Sequence, residues 1–114
     1  MPEYGSWAGK KIIIADDEEF IRRHLMKRLS SLGLIVLEAA TGRQVLELLI
    51  NTPDLILMDV RMPEIDGYET TRQIKTNLST SDIPVILLSA LSGWDDIEYG
   101  FRVGADEFLC KPVT

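Results

Sequence analysis

The sequence contains one cysteine, Cys110, in 114 residues. A single cysteine cannot form a disulfide within the chain, which excludes the disulfide-stapled class of small secreted domains. Cys110 lies in the apolar run 107–111. We predict that its thiol is buried as a small hydrophobic group and takes no part in redox chemistry.

Long apolar runs are also missing. None approaches the ~20 residues of a membrane span, and residues 1–9 lack the basic start and apolar stretch of a signal peptide. We therefore expect a cytoplasmic chain without a membrane segment. Its length is that of one domain, which we place at residues 10–114, with residues 1–9 as an N-terminal leader.

Basic side chains are few. The 12 Lys and Arg side chains are outnumbered by 18 Asp and Glu, which gives a formal net charge of −6. No run of Lys or Arg is long enough to contact a row of phosphates, so we expect no direct binding of nucleic acid. The 46% of apolar and 26% of charged residues are typical of a folded globular domain and not of a disordered chain.

Five short apolar runs recur along the chain. They cover residues 10–15, 34–39, 54–59, 84–90 and 106–111. Their hydrophobicity is continuous, not alternating, which predicts strands covered on both faces, as in a parallel sheet. Segments of helical period separate the runs, over residues 19–32, 42–51, 68–78 and 94–104. This alternation predicts an α/β fold with a doubly wound sheet of five strands.

The first helical segment shows the two-sided pattern clearly. Ile21, Leu25 and Leu29 fall on one face, and Arg22 and Arg23 take the opposite, polar face. A glycine at position 33 is predicted to end this helix.

Polar side chains follow four of the five predicted strands. Ligands of an open parallel sheet bind beyond the carboxyl ends of its strands. There the sequence places Asp16, Asp17, Asp59, Ser89 and Lys111. Close carboxylates repel by roughly 4 kcal/mol per pair at ~4 Å and an effective dielectric of ~20, so a cation must offset them. Oxygen ligands suit a hard divalent ion such as Mg²⁺.

A metal ion, a lysine and a hydroxyl are the groups that phosphoryl transfer requires, because that chemistry depends mainly on positioning and on neutralising charge. Each residue also has a simpler interpretation when taken alone. The two aspartates after the first strand can be a helix N-cap, and the other three can be loop, turn and strand-end residues. Their joint placement at four strand ends favours a site.

With these residues in place, the sequence resembles a response-regulator receiver domain of two-component signalling across residues 10–114. The stretches IIIADDEEF, LILMDVRMPEIDGYE, PVILLSA and GADEFLCKP match the family in order and spacing. The resemblance implies the flavodoxin-like strand order 2-1-3-4-5. It also implies a signalling switch, not a metabolic enzyme, which catalyses only its own phosphorylation and dephosphorylation.

The resemblance implies a role for each site residue. Asp59 is expected to accept a phosphoryl group from the phosphohistidine of a sensor histidine kinase or phosphotransfer protein. Lys111 is expected to pair with that carboxylate and then with a phosphoryl oxygen. The metal site is expected to hold Mg²⁺ through Asp16, Asp17, Asp59 and the backbone carbonyl of Arg61. The expected switch residues are Ser89 and Phe108.

The family pattern continues with a fifth helix, whereas this sequence stops at KPVT, residues 111–114. We expect a fold truncated after its fifth strand, with an apolar stripe left open along the first helix and strands one and five. Three explanations stay open: a piece cut from a longer protein with an effector domain beyond Thr114, a short chain that uses a partner's surface, or an exchanged element in a homodimer. A cis bond before Pro112 is also expected, to aim Lys111 at the site.

Two other functions stay as alternatives. A pseudo-receiver would use the fold for protein contacts without phosphorylation, and the complete set of acids, hydroxyl and lysine argues against it. An aspartate-nucleophile phosphohydrolase requires a second Asp two residues after the nucleophile, where this sequence has Arg61. The sequence has no Gly-rich loop ending in Gly-Lys-Ser/Thr, which excludes P-loop nucleotide binding.

Overall fold

The computed structural model describes residues 8–90 and 93–111. Strands and helices alternate along this part of the chain. The elements are β1 (Lys11–Ala15), α1 (Glu19–Ser30), β2 (Ile35–Ala39), α2 (Gly42–Leu48), β3 (Leu55–Asp59), α3 (Gly67–Thr76), β4 (Val85–Ser89), α4 (Trp94–Arg102) and β5 (Glu107–Cys110). All neighbouring strands pair in parallel, in the order β2-β1-β3-β4-β5. The predicted fold class and strand order are confirmed.

The central strands are apolar throughout because both of their faces are covered. Ile12, Ile13 and Ile14 are 3%, 0% and 1% exposed, although neighbouring side chains of a strand point to opposite faces. On one face, Ile13 packs in a core cluster with Val45 of α2 and Ile74 of α3. This rigid centre holds the carboxyl ends of the strands in register.

The face of the sheet that carries α1 is less covered. No residue of α1 is fully buried, and Leu109 on β5 is 44% exposed. An apolar groove runs between α1 and the sheet, lined by Ile21, Leu25 and Leu88. The groove borders α1, as the predicted open stripe does, but its lining includes no residue of β1 or β5, so the full stripe stays a prediction.

Some boundaries and one burial prediction differ from the sequence analysis. Helix α1 ends at Ser30 and not at Leu32, because the chain turns at Gly33, whose φ is +93° and whose N–H donates to the Ser30 carbonyl at 3.0 Å. The prediction that Cys110 is buried was wrong: its side chain is exposed. The reason is that β5 is an edge strand, so it has a sheet neighbour on one side only. The peptide bond before Pro112 lies outside the described residues.

Across the described part of the chain, none of the helices combines the length and the hydropathy that crossing a membrane would require.

Helix α3 begins immediately beside the end of β3. The Gly67 N–H donates to the Val60 carbonyl at 2.7 Å, which closes the loop after Asp59. A Cβ atom at position 67 would lie 2.4 Å from the Asp59 carbonyl oxygen, a contact with rigid backbone. Only glycine therefore lets α3 start this close to Asp59.

We predict that Gly67→Ala lowers the free energy of unfolding by about 1–3 kcal/mol, because the added methyl group forces the loop away from β3. Urea unfolding followed by circular dichroism measures this. Gly93→Ala is the matched control: among the described residues, its Cβ would meet the end of the Asp96 carboxylate, at 3.2 Å, and no backbone atom. Equal losses from the two variants would contradict the close approach as the cause.

An ion pair lies at the amino ends of β4 and β5. Lys75 of α3 lies 2.8 Å from Asp106, in the loop before β5, and also donates to the Ile83 carbonyl at 2.6 Å. Asp106 in turn accepts the Val85 N–H at 2.8 Å. Partial burial acts to raise the pKa of Asp106, but the hydrogen bonds from Lys75 and Val85 outweigh it and hold the pKa below its ordinary value.

A carboxyl group with a lowered pKa stabilises the fold above its ordinary pKa, and this contribution is lost as pH falls through the folded-state pKa. We predict that Asp106→Asn is less stable than the parent chain at neutral pH by about 1 kcal/mol, and that the difference shrinks in acid below 3.8. Urea unfolding at the two pH values measures it. Asp82→Asn, which changes an exposed acid in the loop before β4, should lower the free energy of unfolding by less. A difference between Asp106→Asn and the parent chain that does not change with pH would contradict the lowered pKa of Asp106.

Candidate functional site

The candidate site residues gather at the carboxyl edge of the sheet. Asp59 is the last residue of β3, and Ser89 is the last residue of β4. Asp16 and Asp17 follow β1, and Lys111 follows β5. Because all five strands are parallel, these positions lie at one edge.

The centre of the site is the Lys111 ammonium group. Its Nζ lies 3.2 Å from Asp16 Oδ2 and 3.1 Å from Asp59 Oδ2. The side chains of Asp16 and Asp59 are 2% and 7% exposed, and that of Lys111 is 18% exposed. The Lys111 N–H also donates to the Ser89 carbonyl at 2.7 Å, which ties the lysine to the end of β4. Two buried carboxylates thus share one cation.

The charges of Lys111, Asp16 and Asp59 do not balance, because two carboxylates face one ammonium group. Burial raises the pKa of Asp59, the neighbouring Asp16 charge adds to this, and the hydrogen bond from Lys111 offsets only part of it. Burial acts to lower the pKa of Lys111, but the hydrogen bonds and charges of Asp59 and Asp16 raise it. The lysine is therefore held firmly in its charged form, and the site still carries an excess of negative charge.

The acids after β1 form a cluster of oxygen ligands. Carboxylate oxygens of Asp16, Asp17 and Glu18 lie within 4.8 Å of one another. Asp16 is buried, whereas Asp17 and Glu18 are exposed, and the Glu18 N–H donates to Asp16 Oδ1 at 2.9 Å. All these ligand atoms are oxygens, which fits a hard divalent cation. Glu18 was not among the predicted ligands. The acidic run 16–19 indicates a cluster of carboxylates, but the sequence does not tell which of these side chains point towards one another.

The loop after β3 brings main-chain groups to Asp59. The Arg61 N–H points at Asp59 Oδ1 over a long 3.4 Å, and Arg61 itself is exposed. The main chain at position 61 is thus next to the carboxylate. Its carbonyl as a metal ligand stays a prediction.

The two predicted switch residues lie near β4 and β5. Ser89 is 1% exposed. Phe108 is half-buried and packs against the core cluster. A Cβ at Gly100 of α4 would lie 2.6 Å from Phe108 Cδ2, so the ring faces α4 and only a glycine leaves room for it there. Their roles as a switch stay predictions.

Arg22 is a residue that the sequence analysis assigned wrongly to the polar face of α1. Its side chain is only 12% exposed. It donates from Nη1 to the Asp16 carbonyl at 2.8 Å and from Nε to Glu38 Oε1 at 2.9 Å. The available signal was Glu38, a lone acid in the otherwise apolar run 34–39, which requires a cationic partner.

The family model described as the response regulator receiver domain matches residues 12–114. The chain belongs to this receiver domain family. Receiver domains are signalling modules of response regulators and bind a divalent metal at an acidic pocket of this kind.

Curated and solved relatives agree with this assignment. The relative named "Probable transcriptional regulator ycf27", from Galdieria sulphuraria, is 46% identical over 92% of this chain and 40% of its own length. Protein PilG of Pseudomonas aeruginosa is 38% identical over 93% of this chain and 79% of its own length. The solved receiver domain of a signal transduction histidine kinase from Syntrophus aciditrophicus has a TM-score of 0.85 and 37% identity, covering 93% of this chain and 81% of that one. This receiver domain thus spans less than half the length of ycf27.

The raised pKa of Asp59 gives a testable pH dependence. A carboxyl group with a raised pKa costs stability when ionised; the cost is complete above the folded-state pKa and absent below the ordinary value of 3.8. We predict that Asp59→Asn is more stable than the parent receiver domain at neutral pH in the presence of a chelator, and that the gain disappears in acid below 3.8. Thermal unfolding across this pH range measures it, and a loss of stability at neutral pH would overturn the prediction.

Proposed function

We propose that this receiver domain is a phosphorylation-dependent switch in which Asp59 accepts a phosphoryl group from the phosphohistidine of a sensor histidine kinase or phosphotransfer protein. The observation that carries the proposal is the Lys111 ammonium group, held 3.1 Å from the buried Asp59 carboxylate and 3.2 Å from Asp16. An isolated buried carboxylate pair would be costly to retain for stability alone. A lysine cation beside it suits a carboxylate whose charge changes during a reaction.

In the proposed step, an Asp59 carboxylate oxygen attacks the phosphorus atom. The P–O bond of an acyl phosphate forms as the P–N bond of the phosphohistidine breaks. The leaving imidazole keeps the bonding electron pair and takes up a proton. The oxygens of the transferred group are negative, so the rate depends on how well the site neutralises them. Lys111 is placed to do this because its ammonium group already contacts the attacking carboxylate.

The proposed metal ligands are the carboxylates of Asp16, Asp17 and Asp59 and the backbone carbonyl of Arg61, with Glu18 beside them. The excess negative charge of the site and its all-oxygen donors favour Mg²⁺. When bound there, Mg²⁺ supplies positive charge to the phosphoryl oxygens. The protein side chains orient the nucleophile and hold the lysine in place.

The proposed output is a shift in population between two arrangements of α4 and β5. The Ser89 hydroxyl would hydrogen-bond the phosphoryl group, and Phe108 would change its rotamer. Since the Phe108 ring contacts Gly100, such a change acts directly on α4. Helix α4 is also tied to α3, because the Tyr68 hydroxyl donates to the Asp96 carbonyl at 3.1 Å.

The surroundings of the domain are part of the same proposal. Residues 10–114 would form the receiver domain, and residues 1–9 would lead into it. Because ycf27 is a transcriptional regulator of which this chain spans 40%, an effector domain beyond Thr114 is proposed, with a homodimer as one assembly. A cytoplasmic location is part of this proposal.

The deciding experiment is intact mass after incubation with Mg²⁺ and acetyl phosphate. We expect one added phosphoryl group on the parent chain and none on Asp59→Asn or in the presence of a chelator. Asp82→Asn, which removes an exposed acid, is the matched control and should be modified like the parent chain. Equal uptake by Asp59→Asn would refute the assignment of the nucleophile, and no uptake by the folded parent chain would favour a pseudo-receiver.

A further inference from the structure

Arg22 connects three separate elements next to the proposed metal site. It lies in the first turns of α1, its Nε binds Glu38 on β2 at 2.9 Å, and its Nη1 binds the main-chain carbonyl of Asp16, after β1, at 2.8 Å. Its side chain is 12% exposed, so these are largely covered, charge-assisted hydrogen bonds. The Arg22 side chain contacts the main chain of the loop that carries the acids. Among the described contacts, it binds no carboxylate of the acidic cluster.

The Asp16 carbonyl belongs to the peptide group that joins Asp16 to Asp17. Asp16 is held at its other groups as well: its N–H donates to the Ala39 carbonyl at 3.0 Å, and its carboxylate accepts from Glu18 N–H and Lys111. The exposed Asp17 side chain is held by none of these contacts. Its direction depends on the plane of the peptide that Arg22 binds, because a planar peptide transmits its orientation to the next residue.

We propose that Arg22 is a positioning residue for the divalent cation: by fixing the peptide between Asp16 and Asp17, it sets how tightly the acidic cluster binds the ion. This inference rests on the proposed metal site. Groups outside the ligand set that orient the ligands typically contribute about 10–100-fold to metal affinity. Glu38 serves to hold the guanidinium group in the orientation that reaches the Asp16 carbonyl.

Long-range electrostatics predicts the opposite change in metal affinity, so the sign of the change distinguishes positioning from a pure charge effect. Removing an arginine near an acidic cluster makes the site more negative, and by charge alone a cation should then bind more tightly. Arg23 provides the matched control. It also donates to Glu38 Oε1, at 3.1 Å, but its side chain is 60% exposed and it makes no contact with Asp16 among the described residues.

The experiment is titration with Mn²⁺, a cation with similar oxygen ligands, with the free ion counted by electron paramagnetic resonance. We expect Arg22→Ala to weaken Mn²⁺ binding by about 10-fold or more, and Arg23→Ala to bind as tightly as the parent chain or more tightly. Arg22→Lys keeps the charge but has one donor group in place of the planar fork, so it should recover only part of the affinity. Thermal unfolding of each variant, without metal, reports its stability separately.

Each outcome decides the matter. Weaker binding by Arg22→Ala alone supports positioning, whereas unchanged or tighter binding by both alanine variants overturns it and leaves Arg22 as a purely structural residue. If Arg22→Ala does not fold, Arg22→Gln replaces it, because glutamine keeps a polar side chain but is shorter than arginine and carries no charge. Failure of the parent chain to bind Mn²⁺ would overturn the proposed metal site together with this inference. If the parent chain binds Mn²⁺ and Arg22→Ala binds it equally well, only the inference about Arg22 fails.

Discussion

The structure depends on one lysine between two buried carboxylates. Lys111 lies 3.2 Å from Asp16 and 3.1 Å from Asp59. Lys111 and Asp16 follow β5 and β1, and Asp59 is the last residue of β3. A buried carboxylate without a partner would be too costly to keep charged. The ammonium group can reach both acids only if the strands are parallel and in register, so the sheet and the site constrain each other.

The site is held by contacts that reach well beyond these three side chains. Gly67 lets α3 start against the Asp59 carbonyl, and Arg22 joins α1, β2 and the Asp16 main chain. Both contacts involve main-chain carbonyl groups, of Asp59 and Asp16 respectively, and not the carboxylates of these residues. For the proposed function, contacts of this kind would set the directions of the ligands in advance, since reorganising them during a reaction adds to its barrier.

The two faces of the sheet differ in how fully helices cover them. One face is closed by α2, α3 and α4 around the core cluster, and the Phe108 ring packs there against Gly100. The other face keeps an apolar groove beside α1 that ends at Lys111. The Phe108 contact therefore packs β5 against α4, whereas the α1 side is less covered among the described residues.

Among the described residues, the five strands, the four α-helices to within a few residues and the polar residues at the strand ends were predictable from the sequence, because hydrophobic period and the chemistry of residue types are local properties. Three other features depend on tertiary contacts. Cys110 is exposed because β5 is an edge strand, Glu18 joins the acidic cluster through the course of the loop, and Arg22 turns from the helix surface to the Asp16 carbonyl. Each of these features depends on which helices, strands and loops lie next to one another in space. The spacing of residues along a single helix or strand does not show which other elements will pack against it.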